Sequence, residues 1–469
     1  MKRFVLVFLL FLLVLNYSKS NQDSIDIINR YKPIAEKILN AATKDSSAWY
    51  RLAYMTDVFG PRLSGSENLE KALDWMLEEM KKDNFYNVRE EKVMVPHWVR
   101  GEEYAELTYP IKANIPIFTL GGSIATPNEG IEAEVIVVND VKELEILGKE
   151  KIKGKILVFN QPFKNYGQSV QYRFYGAQWA AKYGAVASLI RSVSPNTSRN
   201  VHTGMMAYVD SIPKIPHAAI SPEDAMMLQR LISYGITPKI KIKINSKFLD
   251  DAVSRNIMGE IIGTKYPEQI IALGGHSDSW DAGTGAQDNA SGCISTWMAA
   301  KLIKDLNLNP KRTIRVVQWV NEENGVRGGN HYRDHHSDEE HVLMFEHDSG
   351  VFPPSAIRLT ANDTILKIFK YTEPLFQLIN PEMKVTNGGG GVDIAPMMKA
   401  GVPGMSLSTN DSGKYFYYHH SHSDTADKVD PKDLNHCIAA IALAIYIYSD
   451  LELELPSNLK GNNDTNRTR

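Results

Sequence analysis

The chain has 469 residues, 52 Lys and Arg against 55 Asp and Glu (formal charge −3), 43% hydrophobic residues and two cysteines. At about 100–200 residues per domain, that length implies two or three domains with a sizeable core. The near-neutral charge argues against a nucleic-acid module, the ordinary composition against disorder or a fibre, and the two cysteines exclude a disulfide-dense scaffold or Cys-rich zinc finger.

In chain order, Lys2 and Arg3 precede an apolar run, Phe4 to Leu15, with Ser18, Lys19 and Ser20 after it. The run is too short for a hydrocarbon core that needs about 20 apolar residues, so 1–20 is expected to be a signal peptide. Its removal, with Lys2, Arg3 and Lys19, takes the charge from −3 to near −6. No other segment has spanning length; the run Ile438 to Tyr448 ends at Ser449 and Asp450. The expected location is therefore secreted, or the lumen of the secretory pathway or lysosome. Sequons at Asn196, Asn362, Asn410, Asn463 and Asn466 become possible glycosylation sites, and Asn289 is expected to stay unmodified. Cys293 and Cys437 each lie in a helical apolar pattern and read as two separate buried thiols.

Residues 21–46 are polar and helix-prone without a clear partner face, and read as a possible propeptide or N-terminal helix. Residues 47–110 begin a catalytic domain: an amphipathic stretch from Trp49 to Lys82 contains the turn Gly60-Pro61-Arg62-Leu63-Ser64-Gly65. A helix follows with Leu69, Ala72, Leu73, Met76 and Met80 on one face. Residues 111–250 read as an inserted β-rich domain, with strands at Ala133 to Val138, Lys155 to Phe159, Val186 to Ile190 and Lys239 to Ile244, a helical stretch around Ala177 to Ala185, and no catalytic cluster. From 251 to 455 strands alternate with helices. Strands fit Ile257 to Ile262, Ile270 to Gly274, Thr313 to Val320, Val342 to Phe345 and Pro403 to Leu407. Helices fit Ala290 to Leu306, Thr364 to Leu378 and Pro431 to Leu453, the last with Asp430 as N-cap. This predicts an α/β fold, a central β-sheet flanked by helices, with ligands gathered at strand ends. Residues 456–469 are a polar tail.

Five features converge on those strand ends. They are His276 with Asp278 closing a hydrophobic strand, Asp288 in a glycine-rich loop, and Glu322-Glu323 directly after the next strand. Asp348 follows another strand, and His420 lies in the run Tyr418 to Thr425. Carboxylates and imidazoles without thiolate suit Zn²⁺, or less often Mn²⁺ or Co²⁺, in a catalytic site. A bridging carboxylate allows two such ions to stand about 3.5–4 Å apart. Of two successive acids, one can ligate while the other moves a proton. The histidines His331, His335, His336, His341 and His347 lack the zincin glutamate and read as surface or packing residues. Gly388 to Gly391 lacks the Lys-Ser/Thr pair of a phosphate loop and reads as a close approach of a loop to the pocket.

The set resembles the co-catalytic metallopeptidases of the M28 (aminopeptidase Y) family. The likeness runs from about Trp49 to Leu455 and includes Pro96-His97-Trp98, Leu189-Ile190-Arg191-Ser192, Asp278-Ser279-Trp280-Asp281 and His419-His420-Ser421-His422. It implies a mixed sheet of the zinc-exopeptidase type and an insert of the protease-associated type. It implies two Zn²⁺ per chain, one held by His276, Asp288 and Asp348, the other by Asp288, Glu323 and His420. Glu322 would be general base and acid, and Asp278 would orient His276. The implied reaction is hydrolysis of small peptides, most readily dipeptides with free termini, by a metal-bridged hydroxide in a secreted, glycosylated homodimer made as a zymogen. An aminopeptidase of longer peptides, a glutaminyl-cyclase-like acyltransferase and a non-catalytic receptor-like relative are the alternatives. Two departures stand out: Asp288-Asn289-Ala290-Ser291-Gly292 lacks the second aspartate frequent in the family, and Ser277 replaces a bulkier apolar residue.

Overall fold

The computed structural model describes residues 2–195 and 198–460, with side chains from residue 22 onward. The sequons at Asn196, Asn463 and Asn466, the end of the polar tail and the side chains of the expected signal peptide therefore lie outside the described residues. Among the described residues, sixteen strands form two mixed sheets of eight strands each. Strand β1 (Tyr86–Val99) belongs to the first sheet. The next eight build the second: β2 (Glu103–Tyr109), β3 (Ala113–Ile115), β4 (Ile117–Thr119), β5 (Ile131–Val138), β6 (Ile156–Phe159), β7 (Ala187–Arg191), β8 (His217–Ile220) and β9 (Lys239–Ile244). The chain then returns to the first sheet with β10 (Lys247–Ile261), β11 (Tyr266–His276), β12 (Arg312–Trp319), β13 (Glu340–Glu346), β14 (Pro354–Thr360), β15 (Lys384–Asn387) and β16 (Gly404–Thr409).

The first sheet has the order β1-β10-β12-β11-β13-β16-β14-β15. Strand β11 runs parallel to both β12 and β13, one on each side. The chain passes from β11 to one neighbour and then crosses to the other, so the carboxyl end of β11 is a topological switch point, where open α/β sheets leave a crevice. Residues Gln269 to His276 are buried without alternation, the pattern of a central parallel strand covered on both faces. Gly275 packs so tightly under the helix Ser291–Asp305 that a Cβ would stand 2.9 Å from the Cys293 nitrogen.

The helix Pro431–Asp450 starts as expected, with the Asp430 carboxylate accepting the amides of Lys432 and Asp433. The helix Glu67–Lys82 buries Leu69, Ala72, Leu73, Met76 and Met80, the face read from the periodicity. The single helix expected over Thr364 to Leu378 is instead two, Asp363–Tyr371 and Glu373–Phe376. Pro374 explains the break, because its ring denies a preceding turn its hydrogen bond and room. Strands β1, β14 and β15 were not expected; β1 is an edge strand with charged, half-exposed residues, which mute the hydrophobic signal.

Residues 21–46 do have a partner face. Tyr31, Ala35, Ile38 and Ala42, on the helix Lys2–Ala42, are buried in the main core, and the Tyr31 hydroxyl donates to Asp450 at 3.0 Å. The second sheet carries the four expected strands and β2, β3, β4 and β8 besides, β2 lying before residue 111. It also has the helices Val141–Ile152, Tyr166–Lys182 and Pro222–Ser233, the second overlapping the helical stretch expected around Ala177 to Ala185. Its β5-β6-β7-β8 run is parallel, so this unit is α/β rather than β-rich throughout. Cys293 and Cys437 are buried and unpaired, as read; burial pushes the Cys293 thiol up to about 12 and that of Cys437 higher.

Candidate metal centre

Three parallel strands deliver their ends to one crevice. His276 is the last residue of β11, aligned with Trp319 of β12. The Ser277 hydroxyl and amide both donate to the Trp319 carbonyl, at 2.7 and 2.8 Å, so this departure from the family pattern ties the two strand ends together. Beyond β12 the chain turns at Asn321, which is left-handed at φ 69°, and presents Glu322 and Glu323. Asparagine accepts that conformation more readily than most residues. Its Nδ2 donates to Ser64 at 3.0 Å and its Oδ1 accepts the Arg327 amide at 3.2 Å. Asp348 stands two residues beyond β13.

The structure brings His276, Asp288 and Asp348 together: His276 Nε2 lies 3.4 Å from Asp288 Oδ1 and 3.5 Å from Asp348 Oδ1. On the other side, His420 Nε2 lies 3.2 Å from Asp288 Oδ2 and 2.9 Å from Glu323 Oε2. Asp288 thus turns its two oxygens to two different histidines. The second group whose ligand atoms converge is Asp288, His419 and His420, with His419 Nε2 3.6 Å from Asp288 Oδ2 and its ring stacked on His420 at 3.5 Å, while Glu323 joins it through His420. Glu322 neighbours Glu323 and is partly exposed.

Burial pushes the Glu322 carboxyl well above the usual range, reinforced by Asp348, Glu323 and Asp288 and opposed by His276. Burial likewise carries Glu323 up to about 7. Burial would lower His420, but Glu323 and Asp288 raise it to about 10; His276 is raised well above its ordinary value by Asp278, Asp288 and Asp348 in the same way. Asp288 falls well below the carboxylate range, its two histidine partners overcoming desolvation.

The donor set fits cations. Glu323 Oε1 is buried without a hydrogen-bond partner, and Asp288 Oδ2 and Asp348 Oδ1 face the imidazoles of His420 and His276 at 3.2 and 3.5 Å without a geometric hydrogen bond, a cluster of buried acceptors that a bound cation would satisfy. Nitrogen and carboxylate donors without sulfur suit Zn²⁺ in an open site.

Asp278 is wholly buried at the centre of the loop, yet its carboxylate stands 3.7 Å from His276 Nδ1. The nearer acceptor for that ring nitrogen is the Asp278 backbone carbonyl, at 3.0 Å. The carboxylate instead accepts the amides of Glu322 and Glu323, at 3.1 and 3.3 Å, and the Ser64 hydroxyl. Its orienting influence therefore falls chiefly on the acidic pair. Asn289 donates to the His347 carbonyl and accepts the Gly292 amide, so its side chain is buried and engaged in protein hydrogen bonds.

Several contributors escaped the sequence reading. Asp424 accepts the amides of Gln287 and Asp288, at 2.7 and 3.1 Å, and so aims the shared carboxylate. Arg62 is fully buried, with its guanidinium on the carbonyls of Gly60, Ser277, Thr284 and Gly285. The turn around it is legible in the sequence, but nothing local distinguishes a guanidinium that braces loops from one that faces water. The inserted unit, expected to carry no part of the site, brings Arg173 and His202 against the histidine loop. Of the histidine-rich stretch, His331 stacks on His335 at 3.8 Å, while His336, His341 and His347 are buried.

A buried carboxylate-and-imidazole centre at the switch point of a mixed α/β sheet is the arrangement of a metal-dependent enzyme. The sequence profile described as Peptidase family M28 matches residues 256–445. The chain is 44% identical over 428 residues to carboxypeptidase Q of Homo sapiens, covering 90% of each protein. The protein of that name from Xenopus laevis is 44% identical over 434 residues, covering 92% of each. A crystal structure of a peptidase M28 precursor from Shewanella amazonensis superposes with a TM-score of 0.87 at 33% identity, covering 91% of this chain and 98% of that one. A zinc aminopeptidase from Bacillus subtilis shares the fold at TM-score 0.64 and 19% identity, covering 87% and 98%. The chain belongs to peptidase family M28 and is an enzyme of the metallo-exopeptidase class. Among the described residues no helix is long and apolar enough to cross a membrane.

Proposed function

We propose that the chain is a two-zinc exopeptidase of small peptides, preferentially dipeptides with free termini. The observation that carries the reading is the Asp288 carboxylate, whose oxygens face His276 on one side and His420 on the other. His276, Asp288 and Asp348 would hold one ion, and Asp288, Glu323 and His420 the second. Co²⁺ or Mn²⁺ would serve as substitutes. Two bound zinc ions supply Lewis acidity, acidifying water and polarising a peptide carbonyl.

Within this reading Glu322 is the general base and acid. It would take a proton from the attacking water and return it to the leaving amine, a role that its place beside the proposed ligand Glu323 allows. Asp278 keeps Glu322 and Glu323 in register through their amides. Asp424 does the same for Asp288. The intact donor set speaks against a non-catalytic relative. The names of the carboxypeptidase Q relatives favour cleavage next to a free carboxyl terminus.

The test is a panel of free, N-blocked and C-amidated dipeptides and tripeptides, assayed before and after chelation and with zinc restored. Free dipeptides should be cleaved fastest, chelation should abolish turnover and zinc should restore it. Fast cleavage of C-amidated but not N-blocked members would favour an aminopeptidase. One zinc per active chain would favour the acyltransferase-like alternative.

The secretory route, glycosylation, a homodimer and a zymogen belong to the same proposal. Asn362 and Asn410 are exposed and sterically open to a glycan, although Asn362 also caps the helix Asp363–Tyr371. Residues 21–46 would be a prosegment that folds with the enzyme, because Tyr31, Ala35 and Ile38 contribute to the main core.

A further inference from the structure

We propose that the inserted unit is the positioning element for the second ion, with His202 as the residue through which it acts; this rests on the two-ion reading. His276 and Asp348 inherit their places from strands. His420 inherits nothing of that kind. It lies in a turn between the short helix Tyr415–Tyr418 and Asp424, and its backbone is left-handed at φ 59°. That conformation is costly for a residue with a Cβ and persists only where the surroundings over-determine it.

Those surroundings come from the insert. His202 pairs with Ser421 in an isolated antiparallel bridge, and the Thr203 amide donates to the His420 carbonyl at 2.9 Å. The His202 ring is buried, and its Nδ1 stands 2.6 Å from the His419 carbonyl. A carbonyl only accepts, so Nδ1 carries the proton and donates, leaving Nε2 to accept from Asn200 Nδ2 at 3.4 Å. Asn200 Nδ2 also reaches the Ser421 and Ser423 hydroxyls, at 2.8 and 3.2 Å.

The gripping segment is in turn anchored within the insert. The His202 amide donates to Ser192 just beyond β7, Gly121 accepts the Met206 amide, and the Gly121 amide donates to Gly204. Behind it Arg173, on the helix Tyr166–Lys182, donates to Met205 O and Tyr166 Oη, and one guanidinium nitrogen stands 3.3 Å from His420 Nδ1. Gly204 makes room for this, since a Cβ there would fall 2.4 Å from that guanidinium. No residue of this grip touches His276 or Asp348 in a hydrogen bond or ion pair. Its removal should therefore affect one ion and spare the other.

The experiment titrates ion-free wild-type, His202→Leu and His202→Asn enzymes with zinc against a chromophoric chelator, with elemental analysis of the loaded forms. The asparagine amide can donate from near the place of Nδ1; leucine cannot. Wild type is expected to take two ions. His202→Leu should keep the first at unchanged affinity and bind the second at least about 10-fold more weakly, the range of outer-partner losses at metal sites. His202→Asn should stay near wild type. The proposal is overturned if His202→Leu binds both ions as wild type does, if both ions weaken equally, or if His202→Asn is as impaired as His202→Leu. A wild-type enzyme holding fewer than two ions would overturn the two-ion reading instead.

Discussion

His276 and Asp348 leave the ends of neighbouring parallel strands, whereas His420 hangs on a left-handed turn held from outside the catalytic sheet. Glu323 stands between these extremes, just past β12 but fixed by amide contacts to Asp278. Strand ends are set by ladders of backbone hydrogen bonds within a core that would unfold only with the whole domain. A gripped loop can open by itself, since its restraints are a handful of local bonds. One half of the centre is therefore built into the fold, and the other depends on how two sheets meet.

The strongest way to break that comparison is at the residue both halves share. Asp288→Ala should lose both ions and all measurable turnover, read by elemental analysis and dipeptide hydrolysis; one ion held at wild-type affinity would show that Asp288 does not bridge. Next in size, Glu322→Gln should retain both ions and lose about 10²–10⁴-fold in turnover. Activity above about a tenth of wild type would remove Glu322 from its role, because that loss is too small for a general acid–base group.

Asp424→Asn sharpens the comparison by disturbing only the aim of Asp288. An amide presents one acceptor where the carboxylate presents two to the Gln287 and Asp288 amides. Zinc affinity should fall about 10–100-fold, with the chain still folded, as found for outer partners of metal ligands. Unchanged zinc titration would exclude that influence.

The smallest effect concerns the catalytic sheet away from the crevice. His336 lies 3.0 Å from both Glu91 and Glu339, with Arg315 at 3.4 Å, and these acids raise its pKa although burial lowers it. A raised folded value means its stabilisation is full below the unfolded value of about 6.5 and disappears as pH climbs through the folded value. Unfolding free energy measured in urea should therefore fall over that interval, and His336→Gln should flatten the slope without altering zinc binding. An identical slope in the variant would reject the assignment.

Much of the catalytic half was legible because its chemistry is local. The uninterrupted apolar run before His276, the acids directly after β12 and the Asp430-Pro431 helix start each declare themselves within a few residues. Edge strand β1 did not, since only three of its fourteen residues are buried, nor did the break at Pro374 within a pattern that is otherwise helical. Asp424 and Arg62 stayed invisible for a different reason: each acts on backbone groups far away in sequence. His202 was read as part of a unit without chemistry because its partner, the His419 carbonyl, lies 217 positions downstream.

Periodicity, strand-end residues and ligand types are written in short stretches, so the α/β fold, the acid-and-imidazole donors and membership of a peptidase family are legible from the amino acids alone. Folding alone brings the Asp278 carboxylate onto the amides of the acidic pair, seats the helix around Tyr31 in the core, and sets the inserted unit against the turn carrying His420. Those are relations between distant segments, and their geometry exists only once both sheets have folded and met.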